Sequence, residues 1–124
     1  LNFVEMGPIQ EWDGICNTVD RHLQGFYPGV NYRAHIVDPQ HPITKALTDW
    51  DHTDETFVIS EPGPESQLLV TTDCPQSTKA LGWAHDYKKA RVFCFQCGHS
   101  NPAWVDPSFQ TILYRGIQWA ARKI

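Results

Sequence analysis

The chain has 124 residues, 41% of them hydrophobic and 12% aromatic with five tryptophans, which suits one packed domain and excludes both two independent domains and a disordered chain. Ten Lys and Arg stand against fourteen Asp and Glu, for a formal net charge of −4, and no basic run is longer than the Lys88-Lys89 pair. That composition excludes the positive footprint of a nucleic-acid partner, and no apolar run nears the ~20 residues that a membrane-spanning helix needs.

Leu1 opens the chain and Met6 is its only methionine, so translation is expected to have begun upstream; the first residues given have neither the basic region nor the long apolar stretch of a signal peptide. Turn signals crowd the first thirty residues, at Gly7-Pro8, Asp13-Gly14 and Pro28-Gly29. Between them Ile15, Val19 and Leu23 recur at four-residue spacing, which predicts a helix over residues 11–23 with Gly14 as its weak point. From Asn31 the side chains alternate, Tyr32, Ala34 and Ile36 against Arg33, His35 and Val37, until Asp38-Pro39 stops the strand. His41 to Leu47 reads as a single helical turn and residues 49–54 as a polar stretch. A second strand is predicted over residues 55–60, closed by Glu61-Pro62-Gly63-Pro64, and a third over residues 67–72 around Leu68-Leu69-Val70. The fourth, over residues 91–97, is nearly continuous in its apolar character, as in a strand covered on both faces. Asp106-Pro107 then supplies an N-cap with proline at the first helical position. Phe109, Ile112, Gly116, Ile117 and Ala120 follow at three- and four-residue spacing, the pattern of an amphipathic helix packed on a sheet.

Cys94-Phe95-Gln96-Cys97 has the CxxC spacing of zinc and redox sites, but three steps along a strand reverse the face. The two thiols are therefore expected to be buried apart, neither chelating zinc nor forming a mutual disulfide. Cys16 and Cys74 are isolated, and four scattered cysteines make no disulfide framework, which favours a reducing, cytoplasmic compartment. His99 follows Gly98 where the chain leaves the sheet, at the carboxyl end of a strand, where open α/β sheets place ligands. It reads as a general acid or base, or else as a histidine bonded within the Ser100-Asn101-Pro102 turn. His41 and His52, with Asp51, Asp54 and Glu55, form a cluster that suits a divalent metal or an acid–base pair; helix capping and loop solvation are the alternative. Trp83 and Trp104 flank the fourth strand, as sugar platforms or as packing.

Taken together, His41-Pro42-Ile43-Thr44, Asp54-Glu55, the run from Gly82-Trp83-Ala84-His85 to Arg91-Val92-Phe93, Gly98-His99 and the closing Gly116-Ile117-Gln118-Trp119-Ala120-Ala121 resemble the trehalose-utilisation (ThuA-like) family over residues 22–124. The resemblance implies a single α/β domain with the layered, flavodoxin-like sheet of class I glutamine amidotransferases, and a role in the use of trehalose or related disaccharides, keto-sugars included. Family members are longer, so the chain resembles their C-terminal half, and the N-terminal half with the first parallel strands is expected upstream or in trans. Where the family has Gly-Lys-Gly-Arg this chain has Lys88-Lys89-Ala90-Arg91, which removes the glycines of a tight turn. By position His99 resembles the amidotransferase histidine. Asn101 stands where those enzymes have glutamate, and their nucleophilic cysteine would belong to the other half, so glutamine hydrolysis is not implied.

The site so read has His99 as acid–base and Glu55 or Asp54 as its carboxylate partner or as a metal ligand, with His41, His52, Trp104 and Asn101 binding the sugar. A divalent metal is the cofactor this donor set would take. A non-catalytic carbohydrate-binding or assembly module on the same fold is the alternative. A half-domain leaves a sheet edge and an apolar face uncovered, so a homo-oligomer, or pairing with the missing half, is expected.

Overall fold

A computed structural model describes residues 14–18 and 24–124. Its strands are β1 (Gly25–Ile36), β2 (Trp50–Val58), β3 (Gln67–Thr72), β4 (Ala80–Tyr87) and β5 (Ala90–Phe95), followed by the helices α1 (Asn101–Trp104) and α2 (Pro107–Ala120). They form one sheet in the order β2-β1-β3-β4-β5, with every neighbouring pair antiparallel. The fold is mixed α/β; the parallel strands implied for an N-terminal half have no counterpart among the described residues.

The alternation read from Asn31 onward is the half of β1 that buries Tyr32 and Ala34 while Arg33 stays exposed. The strand begins earlier, at Gly25, because Pro28-Gly29 is absorbed as a bulge against β2, with Gly29 at φ 64°, rather than as a turn between elements. Strand β2 starts at Trp50, five residues ahead of the predicted start at Glu55, since its polar residues find partners inside the fold. Strand β4 was not expected at all. It buries five residues in succession, Ala80 to Ala84, so no alternation marks it. The β4–β5 hairpin turns through Lys88-Lys89 without glycine: Lys88 takes φ 55° and its ammonium lies 5.0 Å from the centre of the Tyr87 ring, while the Arg122 guanidinium donates to the Lys89 carbonyl. Most of the helix predicted over residues 11–23 lies outside the described residues. Residues 14–16 are helical, but Asn17 at φ 53° ends the turn and Thr18 bridges to Pro62, so the helix does not continue through Thr18.

Two apolar clusters hold the sheet. One gathers Tyr32, Ala34, Ile43, Trp50, Leu69 and Ile112, with Phe93, Phe95 and Cys97 against it. The other joins Cys16, Ile59, Ala80 and Trp83, with Cys94 against it, and the Trp83 indole N–H donates to the Cys16 carbonyl at 2.8 Å. Cys94 and Cys97 thus belong to different clusters, and neither forms a disulfide. Helix α2 starts on the Asp106 carboxylate, which accepts from the Phe109 N–H at 2.8 Å, and buries Phe109, Ile112 and Gly116. It approaches β5 so closely at Gly116 that a Cβ there would overlap the Phe93 ring.

The sheet curls. Thr78, just ahead of β4, donates its N–H to the Phe57 carbonyl, and its hydroxyl meets both the N–H and the carbonyl of Ile59. The segment after β5 in turn reaches Asp54 of β2, so the two outer strands meet at one end. No helix among the described residues is long and apolar enough to cross a membrane.

Candidate functional site

Asp54 and Glu55 are neighbours on β2, so their side chains leave the strand on opposite faces. The loop after β5 engages both. Asp54 Oδ2 accepts from the Gly98 N–H at 2.6 Å, and Oδ1 accepts from the N–H groups of Ser100 at 2.8 Å and Glu55 at 2.9 Å. On the other side Glu55 Oε2 lies 3.0 Å from His99 Nδ1. His99 is thereby held between two carboxylates with separate tasks: one fixes the backbone around it, the other faces the ring.

The loop geometry depends on Gly98. Its φ of 112° is one that L side chains rarely adopt, and a Cβ would stand 3.0 Å from the Phe109 ring. Two further bonds pin the segment: the Gln96 N–H donates to the Leu81 carbonyl at 2.8 Å, and the Trp104 indole donates to the Gly98 carbonyl at 2.9 Å. The His99 side chain remains 56% exposed whereas Glu55 is 9% exposed. Phe57, two residues beyond Glu55 and on the same face, meets the His99 ring edge-on at 6.2 Å between centroids.

Burial opposes ionisation of Asp54, but the His52 ring beside it and the three N–H groups outweigh burial and hold the carboxyl down to about 2. Three of its lone pairs accept from the N–H groups of Gly98, Ser100 and Glu55, so Asp54 holds the backbone around His99. Of the two carboxylates read as partners of His99, Glu55 is the one that faces its ring.

The histidines read alike in the sequence are separated. His52 is 2% exposed, enclosed by Tyr32, Trp50 and Phe109, and its Nδ1 accepts from the Trp50 indole at 3.3 Å. A sugar cannot reach it, so the substrate-binding role expected of His52 does not hold. His41 is buried at the other end of α2, where its ring tilts over Trp119 at 5.3 Å and its Nδ1 accepts from the Ile43 N–H. Burial, aided by Arg91, lowers its pKa against the opposing pull of Asp38. His41 caps a turn and is not brought to His99. Trp104 and Asn101, by contrast, are exposed on α1 next to the loop, and the Trp104 indole offers a half-exposed face. Trp83 is core.

The sequence reading missed two neighbours. Phe57 had a signal, its two-residue offset from Glu55. Cys97 had none in its spacing: its Sγ lies 3.5 Å from the Tyr32 hydroxyl, and burial, with the charges of Asp54 and Asp106, pushes the thiol up to about 12. Cys97 also stands with His52 and Asp54 in the one group of three metal-ligating side chains found among the described residues.

A family model described as trehalose utilisation (ThuA) matches residues 7–120. No curated protein matches the chain. Among solved structures, the chain is similar to a protein from Parabacteroides merdae described as ThuA-like, with a TM-score of 0.69 and 23% identity over 91% of this chain and 55% of that one. It is also similar to a ThuA-like protein from Bacteroides uniformis, with a TM-score of 0.69 and 12% identity over 89% and 51% of the two chains. A cytoplasmic protein from Salmonella typhimurium matches with a TM-score of 0.54 and 13% identity over 82% and 42%. At these identities the likeness is one of fold, and the chain spans about half the length of the first two structures.

Proposed function

The chain belongs to the trehalose-utilisation (ThuA) family, and we propose that it acts on a disaccharide or keto-sugar by proton transfer, with His99 as acid–base and Glu55 as the carboxylate that orients it. The observation that carries this reading is the 3.0 Å approach of Glu55 Oε2 to His99 Nδ1, with the carboxylate buried and the ring exposed. Glu55 accepts the Nδ1 proton, which leaves Nε2 as the basic nitrogen turned toward a ligand. At a carbon next to a ketone, Nε2 takes the proton, the C–H electrons move into the carbonyl to give an enediolate, and the imidazolium returns the proton. Trp104 lends a stacking face for the sugar ring, and Asn101 an amide for its hydroxyls.

The test is solvent-proton exchange. A keto-disaccharide in deuterium oxide is expected to lose its C–H signal beside the ketone faster with the protein than without it, to lose that acceleration with His99→Ala, and to retain part of it with Glu55→Gln. No acceleration by the wild-type chain sinks the reading.

One observation favours the non-catalytic alternative: His41 and His52 are taken into the core, which removes two polar groups from the sugar-binding set. Saturable disaccharide binding without exchange selects a carbohydrate-binding module. Because the chain spans about half the length of its ThuA-like neighbours, the reading includes pairing, with a second copy or with the remainder of a family-length domain, to complete the site. A cytoplasmic location belongs to the same reading, supported by two structural neighbours described as cytoplasmic.

A further inference from the structure

Behind the His99 loop lies a second constellation that the acid–base reading does not use. A ring nitrogen of His52, an oxygen of Asp54 and Cys97 Sγ all lie within 4.8 Å of one another. The His52 and Asp54 side chains are 1% and 0% exposed. His52 Nε2 is buried without a hydrogen-bond partner and faces Asp54 Oδ2 at 3.6 Å. That separation is too long for a hydrogen bond. It is close to the ~3.3 Å between two ligands of one tetrahedral ion with bonds of about 2.0–2.1 Å.

We infer that His52, Asp54 and Cys97 bind one zinc-type dication, with Nε2, Oδ2 and Sγ as the donor atoms. Charge supports it: one thiolate and one carboxylate against a dication leave a neutral cluster, which a buried site tolerates far better than a lone charge. Ligand chemistry selects the ion, because a mixed sulfur, nitrogen and oxygen set suits zinc and its cobalt probe, whereas magnesium and calcium favour oxygen throughout. The surroundings fit as well. Asp106 Oδ2 lies 3.7 Å from His52 Nδ1, too long for a hydrogen bond as it stands but on the side of the ring where metal-bound histidines place a carboxylate. Metal on Nε2 requires the proton on Nδ1, so the Trp50 indole, which donates to that nitrogen at 3.3 Å in the metal-free ring, has to turn to another acceptor. The Tyr32 hydroxyl lies 3.5 Å from Cys97 Sγ. The CxxC spacing plays no part, since Cys94 packs in the other cluster.

The experiment takes the full chain, freed of metal with a chelator, and titrates it with cobalt(II) alone and then zinc(II). One equivalent of cobalt is expected to bind with a near-ultraviolet sulfur-to-cobalt charge-transfer band, zinc to displace it, and Tm to rise with zinc concentration. Cys97→Ser is expected to abolish the band and weaken zinc binding by more than tenfold, roughly the scale already seen for outer-shell losses. His52→Ala is expected to lower the zinc-dependent rise in Tm, and Cys94→Ser to leave band and affinity intact. No cobalt uptake by the folded wild-type chain overturns the inference. So does a band that survives Cys97→Ser, or one that disappears with Cys94→Ser. None of these readouts depends on sugar or on His99, so this inference and the acid–base reading fail separately.

Discussion

Helix α2 separates two regions that use the same residue types for different ends. Phe109 and Trp119 are ten residues apart, about 15 Å along the axis. At the Trp119 end, His41, Trp119 and Arg91 close on one another: the His41 ring lies on Trp119, its Nδ1 accepts from Ile43, and the Arg91 guanidinium covers the same indole at 5.0 Å. At the Phe109 end the polar groups act outward. Asp54 spends its oxygens on the N–H groups of residues 98 and 100, and His99 is left with an exposed ring beside a buried carboxylate. A histidine near an acid is therefore not a site by residue type; what matters is whether a ring nitrogen is left facing outward once the fold has taken its share.

Removing Asp54 should break this contrast most. Asp54→Ala leaves buried N–H groups of the loop without an acceptor, and we expect a loss of about 3–5 kcal/mol in urea-denaturation stability. A loss under 1 kcal/mol would mean that the loop does not hang on that carboxylate. Gly98→Ala comes next, at about 2–3 kcal/mol, because it combines an unfavourable φ with a Cβ pressed on Phe109. Chemical denaturation measures it, and a neutral result would show that Gly98 does not need its φ of 112°.

The Phe109 end was also the more legible one. Gly98 stops an apolar run and Asp106-Pro107 starts a helix, so position alone put His99 at the end of a strand and α2 after it. Strands β1, β3 and β5 were visible through alternation or apolar content. The sequence misled where polar residues are buried. Asp51-His52-Thr53-Asp54 looks like a loop, yet it is a strand because Trp50, Tyr32 and the loop amides meet its side chains. Gly82 and the unbroken burial of Ala80 to Ala84 concealed β4. The pairing of His99 with Glu55 rather than Asp54 depends on the sheet's curl, a long-range property that no local spacing encodes.

The acid response sharpens the comparison. The Asp54 carboxyl is depressed from 3.8 to about 2 in the folded chain, so its contribution is fully present above the ordinary carboxylate range and is lost as pH falls through about 2. That contribution is about 2 kcal/mol. The stability gap between wild type and Asp54→Asn should therefore narrow as pH is lowered from 5 to about 2, as followed by denaturation at each pH. A gap constant with pH would remove the ionised carboxylate from the account. At the opposite end, His41→Gln should cost only about 1 kcal/mol, the worth of one turn-capping bond, and leave keto-sugar exchange unchanged. A loss of exchange in that variant would join two regions that the helix keeps apart.

The smallest expected change in stability belongs to His99 itself. Its ring is more than half exposed and touches Glu55 and Phe57, while the loop beneath it is held by backbone amides that the side chain does not supply. An exposed side chain away from packing or capping changes stability by no more than ~0.5 kcal/mol, so His99→Gln should unfold with wild type in urea. The same variant should abolish proton exchange at the keto-sugar, because glutamine keeps a polar contact to Glu55 but offers no basic nitrogen. The pairing of these two outcomes is the informative one. If His99→Gln instead destabilises the chain by several kcal/mol, the imidazole is a structural tie between the loop and β2, and Glu55 is its anchor rather than its partner in proton transfer.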